Sequence, residues 1–193
     1  FYFAQTVISD GAQSITAGGR LILNQAFPRT LLPLSSAIRA FWQYLPTIPV
    51  YIAVVLIGKA FIDGAHIQIF SLALLWIPVV VGLMAVTAFG LSLVFATMNV
   101  YFRDTTKLLS YTTRIWLYAS PVLWQPEMLH GWHRAILYVN PFGPALSATS
   151  DIWIQGTSPS LSELIALLVW ALLALVIGGY FFISRERDFA VRI

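Results

Sequence analysis

The segment "LSELIALLVWALLALVIGGYFFI", Leu161–Ile183, carries one charged residue in 23, and that residue stands near its start. At 1.5 Å per residue a helix of this length covers about 35 Å, enough to cross a hydrocarbon layer of about 30 Å. Backbone polar groups inside lipid must be paired within the segment or in a closed barrel. The run shows no period-two alternation, so a helix is expected rather than a barrel strand. Comparable apolar runs cover 38–58, 69–98 and 108–124, and Phe1–Ala17 reads as the end of a further span broken by Asp10 and Gly11. The 69–98 run is too long for a straight crossing, so tilt or a kink at Pro78 is expected.

Composition agrees. Hydrophobic residues make up 59% of the 193, charged residues only 10%, and mean hydropathy is +0.79. Soluble domains carry roughly 25% charged residues. The expected class is an all-α integral membrane protein with about five visible transmembrane helices, the first partial. The chain opens at Phe1 within an apolar stretch, so a further segment is expected ahead of it.

The net charge of +3 does not indicate a nucleic-acid partner, because the basic residues sit at the ends of apolar runs instead of forming one soluble face. The linkers around Arg20 and Arg29 and around Arg103 and Lys107, with the tail 184–193 holding Arg185, Arg187 and Arg192, account for seven of the eleven Lys and Arg residues. The intervening linkers hold Lys59 and Arg134. This alternation places the first, third and last segments on the cytoplasmic side. Arg39 and Arg114, just inside spans, can reach the same interface with their long stems. Arg103–Lys107 is then a short cytoplasmic turn. There is no cysteine, hence no disulfide framework and no thiolate metal site.

Two linkers depart from ordinary loops. "GGRLILNQAFPRTLLPLSS" is apolar although assigned to the cytoplasmic side. Arg20–Ala26 can form a short helix, the residue before Pro28 is pushed out of the helical region, and Pro33 can open the next helix. A short crosswise helix over 20–33 is expected. The second linker, 125–159, mixes aromatic and polar residues. It reads as two short helices lying in the outer interface, split at Asn140-Pro141.

The chain offers little chemistry of its own. Gly58-Lys59 is the only Gly-Lys pair, and the residue five before Gly58 is Ala53, so no phosphate-cradling loop exists. Glu127, His130 and His133 share a face if helical and could bind a metal, but the zincin spacing is absent and interfacial histidines are the commoner case; no metal is assigned. No serine-elbow pattern accompanies the three histidines. Ser160 and Glu163 form a capping box for the last span. Asp104 is placed to cap the helix after it or to pair with Arg103 or a partner chain. Asp10 lies either at intramembrane depth, where a charge is expensive, or near the inner interface. Phe41, Trp42, Tyr44 and Tyr51 crowd one span, as an interfacial belt or as flat faces suited to passing sugars. Pro121 either weakens a helix near its outer end or ends the span.

The stretches "SITAGGRLILNQAFPRTLLPLSS", "NVYFRDTTKLL", "SPVLW", "LYVNPFGPAL" and "RERDFAVRI", in this order, resemble the permease subunits of type-2 ABC exporters for lipid-linked polysaccharides such as O-antigen, teichoic acid and cell-wall galactan. The resemblance covers nearly the whole chain, and it implies an N-terminal amphipathic helix and a first span ahead of Phe1. It implies a multi-pass protein of the bacterial inner membrane, working as a homodimer with two copies of a separate ABC ATPase that carries the ATP and Mg; this chain would hold no cofactor. It implies that Arg20, Leu21, Ile22, Phe27, Pro28 and Arg29 form the ATPase-coupling element, with Arg103 and Asp104 in a cytoplasmic turn. Phe41, Trp42, Tyr44 and Tyr51 would contact the polymer. Pro121, Trp132, Asn140 and Pro141 would belong to an extracytoplasmic gate. Two rival classes are a membrane-embedded enzyme acting on lipid-linked sugars, for which only Glu127, His130 and His133 could supply a catalytic set, and an ion-coupled transporter depending on Asp10.

Overall fold

A computed structural model describes residues 1–19, 28–61, 71–122, 124 and 135–192. Among these every regular element is helical. In order they are α1 (Tyr2–Ala17), α2 (Leu31–Tyr44), α3 (Thr47–Phe61), a 3₁₀ turn (Leu72–Trp76) leading into α4 (Ile77–Tyr101), α5 (Thr105–Tyr118), α6 (Ala135–Val139), α7 (Gly143–Ser150) continuing as a π-turn (Asp151–Gln155), α8 (Leu161–Arg185), and a 3₁₀ turn (Glu186–Asp188) followed by α9 (Phe189–Arg192). Two helical stretches, Leu72–Tyr101 and Leu161–Asp188, are each long and apolar enough to cross a membrane alone.

α4 is the axis of the bundle. α8 packs along one side, α1 along the other, and α2 covers the outer face of α1. The α4–α8 crossing is made by small residues. A Cβ placed on Gly90 or Gly178 would collide with the backbone of the facing helix, at Ala174 and Gly90 respectively. In lipid, where apolar surface alone does not drive association, such close backbone approach supplies the packing energy. Gly11 serves the same purpose on α1, where an added Cβ would stand 2.6 Å from Ser92 Cβ. α1 is therefore an unbroken helix through Asp10 and Gly11, contrary to the expected break: the glycine there admits a neighbouring helix.

Buried hydroxyls are matched locally. Thr87 donates to Leu83 O at 2.9 Å, Thr97 to Leu93 O at 2.9 Å and Ser92 to Phe89 O at 2.7 Å, so each polar side chain is satisfied within its own helix. Asn99 reaches across instead. Its amide donates to Ala12 O at 3.1 Å and Thr16 Oγ1 at 3.2 Å, tying α4 to α1.

Three further expectations are corrected. Pro78 sits in the first turn of α4, after the 3₁₀ turn, where its missing N–H is not needed; it produces no mid-helix kink. The expected straight span over 38–58 is two helices, α2 and α3, separated at Leu45-Pro46, because Pro46 removes a helical donor and crowds the preceding turn. Pro33, as expected, lies in the first turn of α2. Finally, α7 is packed within the bundle instead of lying along its surface. Phe142, Ala145, Ala148 and Ile152 are fully buried with Phe3, Val7 and Val80 in one core. An interfacial helix needs a broad polar face; α7 presents mostly small residues all round, and they fit against α8 and α4.

Candidate functional site

Three regions hold the residues singled out from the sequence. The first is the basic end of the bundle. The main-chain N–H of Arg29 donates to Glu186 Oε1 at 3.0 Å, joining the start of α2 to the tail. Tyr101, the last residue of α4, donates its hydroxyl to Asp188 Oδ2 at 2.8 Å. The guanidinium of Arg192 stacks over the Tyr101 ring, 4.4 Å from its centroid, and that of Arg185 lies 5.7 Å away. Phe189 packs on Phe182 at a centroid distance of 5.1 Å and is fully buried, which anchors α9 beneath the bundle. Segments far apart in sequence, 28–30, 101–105 and 185–192, therefore meet at one end. These are the basic segments that charge alternation assigned to one side. Pro28 is exposed and Arg29 half-buried; Arg20, Leu21, Ile22 and Phe27 lie outside the described residues.

In the 102–104 turn, Arg103 and Asp104 are both exposed. Asp104 stands at the N-cap position of α5 but makes no side-chain cap. Its carboxylate takes the Lys107 ammonium at 3.0 Å, with both side chains mostly in solvent. The cap expectation fails because Asp104 has helical backbone angles, φ −74° and ψ −4°, whereas a capping side chain needs an extended backbone to reach the first free N–H groups. Ser160, with φ −66° and ψ 149°, meets that requirement. It accepts from Glu163 N at 3.3 Å while Glu163 Oε2 accepts from Ser160 N at 2.9 Å, the reciprocal box expected.

The second region is an aromatic cavity of about 620 Å³ in which Phe41, Tyr44 and Tyr51 come together with Phe3, Met84 and Trp153. Tyr44 packs on Phe3 at 5.2 Å, and Tyr51 meets Trp153 edge-on at 5.0 Å. The break at Leu45-Pro46 aims these rings inward from two helices. Trp42 does not line the cavity and is 66% exposed.

The third region is the tip of the α6–α7 hairpin, at Asn140-Pro141. Asn140 is 4% exposed. Its amide donates to Ser120 Oγ at 2.7 Å and to Trp116 O at 3.1 Å, and its Oδ1 accepts from Phe142 N at 3.1 Å. Trp116 stacks edge-on against Phe142 at 5.5 Å. The end of α5, with Ser120 next to Pro121, is thus locked to the hairpin through one amide. α6 runs beside the first turns of α8, where Trp170 Nε1 donates to Tyr138 O at 2.8 Å. Irregular backbone at such a place is tolerated when it is buried in protein with its polar groups matched. Trp132, Glu127, His130 and His133 lie outside the described residues. Among the described residues no group of three His, Cys, Asp or Glu could hold a metal.

Sequence reasoning did not find Tyr101 as the hub of the basic end, nor Asn140 as a side-chain knot. A lone amide in an apolar context was the available signal for the second. Asp10 lines a pocket of about 400 Å³ between α1 and α2 together with Arg39, Ser35 and Ser36.

The family model described as ABC-2 type transporter matches residues 29–154. An O-antigen export system permease protein RfbA of Klebsiella pneumoniae is 29% identical over 144 residues, covering 74% of this chain and 52% of the relative. A second RfbA permease from that organism is 28% identical over 145 residues, 75% of this chain and 53% of the relative. The RfbA permease of Myxococcus xanthus is 24% identical over 189 residues, 96% of this chain and 69% of the relative. The chain spans about half the length of the Klebsiella relatives it matches.

Proposed function

This chain belongs to the ABC-2 type transporter family, and from that premise we propose that it is the channel-forming permease subunit of an exporter for a lipid-linked polysaccharide. ATP hydrolysis takes place on a separate ABC ATPase, present in two copies, and a second copy of this chain completes the path. The kind of cargo is carried over from what the similar RfbA proteins are named for. The protein resides in the bacterial inner membrane, crossing it about five times, with the arginine-rich end in the cytoplasm.

The observation that carries this reading is the convergence of the 28–30, 101–105 and 185–192 segments at one end of the bundle. A subunit that burns no fuel needs a stiff place to be pushed. Pressure applied at 20–29 passes into the start of α2, and through the Arg29–Glu186 hydrogen bond into α8. The small-residue crossing of α8 with α4 leaves little slack, so the helices shift as rigid bodies. At the far end the Asn140 knot couples α5 to the hairpin, and Pro121, Asn140 and Pro141 act in release. Phe41, Tyr44 and Tyr51 offer flat faces to passing sugar rings; Trp42, turned outward, is a belt residue.

The test is the double variant Phe27→Ala/Arg29→Ala, made in the complete exporter. The permease should insert normally while ATPase association, or transport-coupled ATP turnover, is lost. Wild-type turnover and export in that variant would overturn the handle. Full-rate transport by the permease reconstituted without any ATPase would overturn the whole reading.

A further inference from the structure

On the side of α1 facing α4, at the arginine-rich end, lies a pocket of about 380 Å³ lined by Gln13, Thr16, Asn99, Arg103, Thr106 and Arg192, among others. We propose that this pocket binds a phosphate or pyrophosphate group, carried on the headgroup of a membrane lipid. The inference deepens the export reading, on which it rests for the kind of lipid that would matter in the cell.

Among the described residues the lining contains two arginines and no acidic side chain. Asp104 is ion-paired with Lys107, while Asp188 and Glu186 accept from the Tyr101 hydroxyl and the Arg29 N–H and do not line the pocket. Two arginines around one concavity with no acidic residue in its described lining give it a positive potential that favours an anion. The site is also preorganised. Arg192 is held by stacking on Tyr101, which leaves the edges of its planar fork free for oxygen acceptors. The wall between α1 and α4 is fixed by Asn99, whose amide is committed to Ala12 O and Thr16 Oγ1. Thr16 and Thr106 donate to main-chain carbonyls of Gln13 and Arg103. The donors left for a ligand, among the described residues, are the Arg103 and Arg192 guanidiniums and the Gln13 amide. Such a set suits a multi-oxygen anion. The pocket on the other side of α1 contrasts with it: there Asp10 and Arg39 supply both signs, and no anion is selected.

The experiment measures binding by thermophoresis to the purified full chain in phosphate-free detergent, with dihexanoyl phosphatidic acid, dihexanoyl phosphatidylcholine and inorganic pyrophosphate as probes. Phosphatidic acid should bind, more weakly as salt rises. Arg103→Gln/Arg192→Gln should weaken it tenfold or more, and Arg103→Gln alone severalfold. The single variant removes an exposed side chain without a packing role, so it folds even if the double variant does not. Arg187→Gln, at the same end but outside the pocket, should bind within twofold of wild type. Displacement of phosphatidic acid by pyrophosphate supports a site that reads the phosphate group whether free or lipid-borne; failure of pyrophosphate to displace it supports a lipid-borne group alone. Unchanged binding in Arg103→Gln, or phosphatidylcholine binding as tightly as phosphatidic acid, overturns the proposal. No ATPase and no export enter this assay. A pocket that fails it leaves the export reading standing, and loss of ATPase coupling leaves phosphate binding to be judged on its own.

Discussion

Replacing Asn140 with alanine removes one amide that serves three partners, and the cost can be built from the structure. The larger part comes from Phe142, whose buried N–H donates to Asn140 Oδ1 at 3.1 Å; a buried donor left unmatched costs about 1–3 kcal/mol. The two donated bonds, to Ser120 Oγ at 2.7 Å and Trp116 O at 3.1 Å, contribute less. Interhelical side-chain hydrogen bonds in membrane proteins average about 0.6 kcal/mol, and the Ser120 hydroxyl still donates to Trp116 O. The sum is about 2–4 kcal/mol. For a chain of this size that corresponds to a fall in thermal midpoint of roughly 5–15 °C, readable by tryptophan fluorescence during heating in detergent. Ser120→Ala removes the bond accepted from Asn140 and the one donated to Trp116 O and should cost about 1 kcal/mol, with a coupling to Asn140→Ala of about 0.6 kcal/mol in the double variant, the share of the bond the two residues have in common. Asn140→Ala melting within about 1 °C of wild type, or no coupling between the two sites, would refute the idea that this amide locks α5 to the hairpin.

The neighbouring glycines of α8 make a second test: Gly178→Ala should lower the thermal midpoint by the equivalent of about 1–3 kcal/mol through overpacking against Gly90. Gly179→Ala, where the added methyl meets open space, should be neutral or gain up to about 1 kcal/mol in helix propensity. Third, Glu163→Ala should cost about 1 kcal/mol and speed hydrogen exchange in the first turn of α8, while Glu163→Gln retains most of the cap.

The all-helical class and, among the described residues, the two long apolar helices were legible because they depend on local quantities. The apolar length of Leu161–Ile183 and the clustering of arginines at alternate linkers need no knowledge of neighbours. The Ser160–Glu163 box was legible for the same reason, since both partners lie within one turn. Asp104 shows where local reading fails: residue type suited a cap, but the backbone angles at the tight 102–104 turn did not.

What the tertiary structure decided is which side chains share space. Gly11 reads as a helix breaker in one dimension, yet it is, like Gly90, a place where a second helix comes close. The run after Asn140-Pro141 read as interfacial because its composition is mixed, but its small residues are buried between the nearby α8 and the sequence-distant α4. No periodicity links Gln13, Arg103 and Arg192, and only the packing of α1 on α4 and the return of the tail beneath Tyr101 set them around one pocket. Sequence thus determined what each segment tolerates, lipid or water, because solvation is a property of the segment. Position relative to other segments is a property of pairs of surfaces, and only the folded bundle specifies it.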